Sequence, residues 1–467
     1  MSMKPTYEQL EAELTKTQKL LKRALEEIDN LRQEVAKLKE QLNRNSKNSS
    51  KPPSSDQKKN TPDRDLKSRK EREGFARPVY SPERIDKRVV CTQENCPHCG
   101  SHSIELTNQS PEILQQAELP EVKAIVTEYL LQNYKCNTCS KKSIAQLPQG
   151  IPDSAFGPKL MGLVATLTGV FHLAKREAIQ LIKDLYDVDI GLGSVPNMEE
   201  RVAQALDPIY HRIHHFVIES NFPKHFDETG WRDSGKRHFV WVASCNHAAI
   251  YMVHQNRSSQ AFQKLVKKDP KNLPAVTDRY RVYNAIGKLH QYCLAHLIRE
   301  FRQYAERDGP DKEIGQVLEK ELSTVCHIQK QYREEKISLE QRNRCLGQHK
   351  RKVATWLEDG MANGSDELYK LCEGLLDNFS KLWIFMKVVG MEPTNNLAER
   401  DLRKLVVWRK KSYGTRSDRG KKFIERITTV GQTLRRKGKN VLSFVQEALE
   451  SFYRKDEAPF IFQEMSF

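Results

Sequence analysis

The chain has 467 residues, a formal net charge of +16 and a mean hydropathy of -0.69. No run approaches the roughly 18 apolar residues of a membrane helix and no secretory signal opens it, so a membrane-spanning or exported protein is not expected. Its length predicts about three domains, and ten cysteines, four of them in two CxxC pairs, fit metal-bound thiolates in a reducing cytoplasm better than a disulfide framework.

From Tyr7 to Leu42 apolar residues recur at alternating spacings of three and four: Tyr7, Leu10, Leu14, Thr17, Leu21, Ala24, Ile28, Leu31, Val35, Leu38, Leu42. This heptad seam predicts an N-terminal coiled-coil helix over 1–44 that pairs copies of the chain; Thr17 and Ala24 weaken its middle, and a single helix docked on its own protein is the alternative. The segment NRNSKNSSKPPSSD ends the helix, because Asn and Ser compete for backbone hydrogen bonds and Pro52 and Pro53 cannot continue it. A flexible basic linker is expected over 45–88.

Cys96-Pro-His-Cys99 and Cys136-Asn-Thr-Cys139 flank a β-rich run, AIVTEYLLQNY. Two such knuckles joined by strand-forming sequence supply four thiolates to tetrahedral zinc, which predicts a zinc-ribbon DNA-binding domain over 89–146, with Cys91 and His98 as bystanders or replacements. Helical periodicity follows in PKLMGLVATLTGVFHL, REAIQLIKDLYDV and NMEERVAQAL, with a turn at GLGSVP. Three short helices suit a helix-turn-helix-like module over 147–207, although core packing gives the same periodicity.

After Asn221 the period becomes extended. HFDETGW, FVWVASC and AAIYMVHQ read as three meandering strands, SQAFQKLVKK as a helix and LPAVTD as a fourth strand. That order is the first half of an RNase H-like α/β core (208–308), in which the first and fourth strands lie side by side. Asp227 and Asp278, at the polar ends of those strands, would then share a metal. A further strand in HQYCLAH and a helix in LIREFRQYAE lead into an all-helical insertion over 309–389. The core resumes over 390–440 with NNLAERDLRKLVVWRKK, and a C-terminal helix and tail fill 441–467. Asn395, Asn396 and Glu399 share roughly one helical face, and Arg400, Arg403 and Lys404 follow at positions suited to a phosphate backbone.

Fourteen Lys or Arg stand between Arg403 and Lys439 against two acids, Asp418 and Glu425. A solvated helix face mixes signs, so the excess points to a polyanionic partner, a generic solubility surface being the alternative. Lys410, Lys411 and Arg416 lie in this run. Three carboxylates near a polyanion suit phosphoryl transfer, in which two hard cations about 3.5–4 Å apart, magnesium or manganese, hold the nucleophile and leaving oxygen.

At these residues the chain resembles the insertion sequence 66 group of bacterial transposases. The likeness covers almost its whole length: the heptad helix before NSSKPPSSD, CPHC with CNTC, DETGW, TDRYRVYN, CLAH, NNLAERDLR and RKKSYGTRSDRG. It implies a DDE transposase with Asp227, Asp278 and Glu399 as the metal-binding triad. Such a protein works in the bacterial cytoplasm at the nucleoid, binding terminal inverted repeats and target DNA as a homo-oligomer, with or without accessory transposition proteins. Cys293 and His296 match a Cys-x-x-His element that follows the second aspartate in such enzymes, for which a structural or DNA-positioning role is expected. Asp401 departs from the pattern, which more often has a small residue there. Trp231 and Trp408 are candidates for stacking on a base, packing being the commoner use of Trp231. A non-catalytic zinc-ribbon regulator and an RNase H-like nuclease without joining activity are the rival expectations.

Overall fold

A computed structural model describes residues 6–45 and 79–462. The chain divides into two units, residues 57–124 and the remainder. Most of the expected linker lies outside the described residues. Helix α1 (Tyr7–Asn43) carries the heptad, and the apolar seam residues from Tyr7 to Leu42 are all exposed. No helix among the described residues is long and apolar enough to cross a membrane.

The expected strand in AIVTEYLLQNY is not formed: only β1 (Asn133–Lys135) appears, paired antiparallel with β2 (Lys142–Ile144). Among the described residues nothing buries the run, with Ile125 95% and Val126 90% exposed, and strand-forming residues with no surface to pack on do not specify a strand.

Helices α2 (Pro158–Gly169), α3 (Lys175–Tyr186) and α4 (Ser194–Glu219) follow. The boundary expected at 207/208 falls inside α4. Val202, Leu206, Ile209, Ile213 and Val217 recur every three or four residues and are all buried, so one apolar stripe runs through Pro208 and holds the helix together. The three helices therefore share a core with the sheet instead of forming a separate module.

That sheet has the order β5-β4-β3-β6-β7. Strands β3 (Lys224–Asp233), β4 (Lys236–Ser244) and β5 (Ala249–His254) are antiparallel neighbours. Ser234 (φ 49) and Gly235 (φ 76) make the first hairpin turn, both left-handed as a two-residue turn between twisted strands requires. Helix α5 (Ser259–Val266) crosses over to β6 (Ala275–Thr277), which runs parallel to β3 and to β7 (His290–Tyr292). FVWVAS buries every residue of its strand from Phe239 onward; β-branched and aromatic side chains suit a sheet covered on both faces.

Helix α6 (Leu294–Ala305) leads to the helical insertion of α7 (Pro310–Arg333), α8 (Leu339–Asn363) and α9 (Asp366–Asp377). These build a second core with Val276 of β6 and Tyr292 of the edge strand β7. Helices α10 (Asn396–Ser412), α11 (Asp418–Arg436) and α12 (Val441–Arg454) return to the first core. The architecture is mixed α+β.

Candidate active site

Strand register sets the first two carboxylates. Lys224 pairs with Ala275 and His225 with Val276; continuing that parallel register puts Asp227 level with Asp278, the residue that follows β6. Each aspartate accepts a local backbone amide, Asp227 from Glu228 at 2.8 Å and Asp278 from Tyr280 at 2.9 Å. Neither has an ion-pair partner among the described residues.

Helix α10 brings the third carboxylate. Asn395, at its N-terminus, is 1% exposed and donates from Nδ2 to the Phe226 carbonyl at 2.8 Å, while its Oδ1 lies 3.3 Å from His225 Nδ1. The DNA contact expected of Asn395 is thus replaced by a structural one: the amide pins α10 beside the strand residue preceding Asp227. Cys293 completes the clamp. Its N–H donates to the Thr277 carbonyl at 2.8 Å, and its Sγ accepts the Asn395 N–H at 3.1 Å. Burial pushes its thiol up to about 11, so it stays protonated at neutral pH.

Burial, then the charges of Glu228, Asp278 and Glu399, hold the Asp227 carboxyl well above the usual range. Like charges nearby disfavour the ionised form, and carboxylate oxygens are the donors a hard divalent cation takes. Glu399 is turned toward α6, with Oε1 at 3.7 Å from His296 Nδ1 and 3.5 Å from an Arg299 amino group. Among the described residues, the one group of three such side chains with ligand atoms all within 4.8 Å is Cys293, His296 and Glu399. Burial, then Arg299, lowers the His296 pKa, and its Nδ1 has no hydrogen-bond partner.

Four neighbours escaped the sequence reading: Glu228, Arg257, Tyr283 and Arg299. Glu228 is bonded by Arg257 and by the Tyr283 hydroxyl, which props the strand behind Asp227. Arg299 follows His296 by one helical turn, a spacing that could have flagged it. Of the expected DNA contacts, Asn396, Arg400, Arg403, Lys410, Lys411 and Arg416 are exposed. Lys404 is half-buried and donates to Gln432 at 2.8 Å. Trp231 is 1% exposed, with its indole N–H on Thr415 Oγ1 at 3.2 Å, which rules out base stacking. The uncommon Asp401 is buried, accepting from Ser244, Gln432 and Arg436 and so tying α10 to β4 and α11.

In the zinc knuckles, Cys96 accepts backbone hydrogen bonds from His98 and Cys99, and Cys136 from Cys139 and Thr138. These amides lower both thiols, Cys136 to about 7, favouring the thiolate that metal binding needs.

Exposed cations along α10, packed beside a mixed sheet, are the surface chemistry of a protein that handles a polyanion. The chain belongs to the Transposase IS66 family, whose profile matches residues 153–423, and it is therefore a DNA-binding transposase. Residues 93–140 match the zinc-finger binding domain of transposase IS66, and residues 2–80 match a family of unknown function (DUF6444). No curated protein matches the chain.

Proposed function

We propose that this transposase is a DDE enzyme with an RNase H-like core, cutting the ends of its element and joining them to target DNA. The observation that carries this is the parallel pairing of β3 with β6, whose register, extended two residues past His225 and Val276, brings Asp227 level with Asp278, with Glu399 on α10 as the third carboxylate. The sheet order, three antiparallel strands followed by two parallel ones, supports the fold assignment. Asp227, Asp278 and Glu399 would hold magnesium or manganese, which when bound stabilises charge on the attacking and leaving oxygens. Cys293 and His296 act as positioning residues for Glu399, and Arg400, Arg403, Lys411 and Arg416 hold phosphates. Cys96, Cys99, Cys136 and Cys139 ligate the zinc of the zinc-finger domain. The exposed seam of α1 pairs copies of the chain.

Strand transfer with paired end-sequence DNA and magnesium tests the reading. Joined products are expected. Cleavage without joining would make the protein a nuclease, and binding without either would make it a regulator. Asp227→Ala and Glu399→Ala should lower product formation by at least about 100-fold, since even residues that merely support a metal ligand are worth roughly 10–100-fold. End binding should persist, and joining by Asp227→Ala would sink the site. For the oligomer, Leu21→Asp with Leu31→Asp should lower the native mass; an unchanged mass would remove the seam from the assembly.

A further inference from the structure

A cavity beside the basic helix is lined by none of the three carboxylates. It has a volume of about 590 Å³ and lies between the end of α2, the C-terminal half of α10 and the start of α11. Its floor is aromatic: the His172 ring stacks on Trp408 with centroids 4.7 Å apart and planes 11° from parallel. Trp408 is buried and His172 half-buried, and both line the cavity. Leu173, Phe423 and Ile424 add apolar wall. Four cations, Lys175, Lys411, Arg416 and Arg419, line it against two carboxylates, Glu199 and Glu200. Both acids are already paired, Glu199 with Lys175 at 2.6 Å and Glu200 with Arg419 at 3.3 Å. Lys411 and Arg416 have no ion-pair partner among the described residues.

The backbone marks the same spot. His172 has φ 59, and the Leu173 N–H returns to the Leu167 carbonyl at 3.0 Å. This is the left-handed closing turn of a helix, where glycine or asparagine is usual. An imidazole held there at a conformational cost points to a use for the ring. Burial, then Arg435, Lys404 and Lys411, lowers the His172 pKa to about 4, so the floor is neutral at physiological pH and the cations stand at the rim.

A flat apolar floor below unpaired cations suits a nucleobase attached to a phosphate. The volume is that of a small-ligand site, roughly 300–1,000 Å³, and a duplex with its stacked pairs is far too large. We propose that this cavity holds one unpaired nucleotide of the bound DNA, its base on the His172 ring and its phosphate between Lys411 and Arg416. The assignment rests on the DNA-cutting reading above and adds a position to it. Trp408 follows Glu399 by nine positions on α10, about 13.5 Å at 1.5 Å per residue. At about 3.4 Å per nucleotide along one strand, the unpaired nucleotide lies about four steps from the bond cut.

The test compares a fully paired element-end duplex with the same duplex bearing a short single-stranded extension that carries 2-aminopurine. The wild-type protein should bind the extended DNA about tenfold more tightly, the scale of one base stacked on a ring, and quench the probe. His172→Gly removes the ring while suiting the left-handed backbone, so it should melt like wild type yet lose both preference and quench; Lys411→Ala with Arg416→Ala should lose the preference. Retention of both by His172→Gly overturns the proposal. Equal wild-type binding of the two DNAs removes the cavity but leaves the DNA-cutting reading intact, whereas binding of neither removes both. Competition by free deoxyadenosine monophosphate as effective as the extension would overturn the strand assignment.

Discussion

The five-stranded sheet and the cysteine-knuckle region from 89 to 146 are folded by different means. In the sheet, Trp241, Val242 and Ala243 are fully buried, on a strand whose neighbours on both sides satisfy its backbone. In the knuckle region, Leu106 is 96% and Val126 90% exposed, and its strands β1 and β2 have three residues each. A hydrophobic side chain fully buried on folding contributes about 1.5–3 kcal/mol, a source the sheet draws on many times and the knuckle region hardly at all. Order in the latter must come from elsewhere, and zinc is the available source.

The sharpest way to break this contrast is chelation. Stripping zinc should remove order-of-10 kcal/mol stabilisation and open residues 89–146 to protease, while the melting of the sheet stays in place. Unchanged protection of 89–146 would mean that burial, not metal, holds it. The converse change is Trp241→Ala, expected to cost the sheet about 3–5 kcal/mol with bound zinc unaltered; loss of zinc on this substitution would show the two regions to be one cooperative unit.

A smaller effect separates stability from chemistry within the sheet. Asp227 binds its proton more tightly folded than unfolded. Its burial therefore costs nothing below the unfolded carboxylate range near pH 4, and the penalty grows as pH rises from there through the folded value. Asp227→Asn should melt a few °C higher at neutral pH, with roughly 2–4 °C for each kcal/mol in a domain of this size, and like wild type in acid. A variant no more stable at pH 7 would contradict the crowding of carboxylates. Least in size, Arg403→Ala with Lys411→Ala should flatten the salt dependence of DNA affinity by about 0.9 for each phosphate no longer neutralised; an unchanged slope would assign those phosphates to the knuckle region.

What could be read in advance follows the same division. The strands leading to Asp227 and Asp278 were legible because each aspartate ends an apolar run, and the unbroken apolar run FVWVA announces a strand buried on both faces. Asn395 was not: its amide looks solvent-facing on a helix, and only the Phe226 carbonyl across the fold explains it. The strand expected over AIVTEYLLQNY failed because periodicity says which face would be buried, not whether a surface exists to bury it. His172 carries no sequence signal, since its left-handed turn and its Trp408 partner arise only when α2 meets α10. The turn of Glu399 toward His296 and Arg299 depends on side-chain geometry that spacing does not encode.

The unbroken course of α4 has a practical consequence. A fragment begun at residue 208, where helical and catalytic modules were expected to separate, would cut a 26-residue helix near its middle and strand Ile209, Ile213 and Val217 without their covering helices. The smallest portion able to fold alone should start before α2, close to residue 153, where the family profile also begins. Swapping this transposase's helical layer for another's is thus a graft into a shared core, not an exchange of beads on a string.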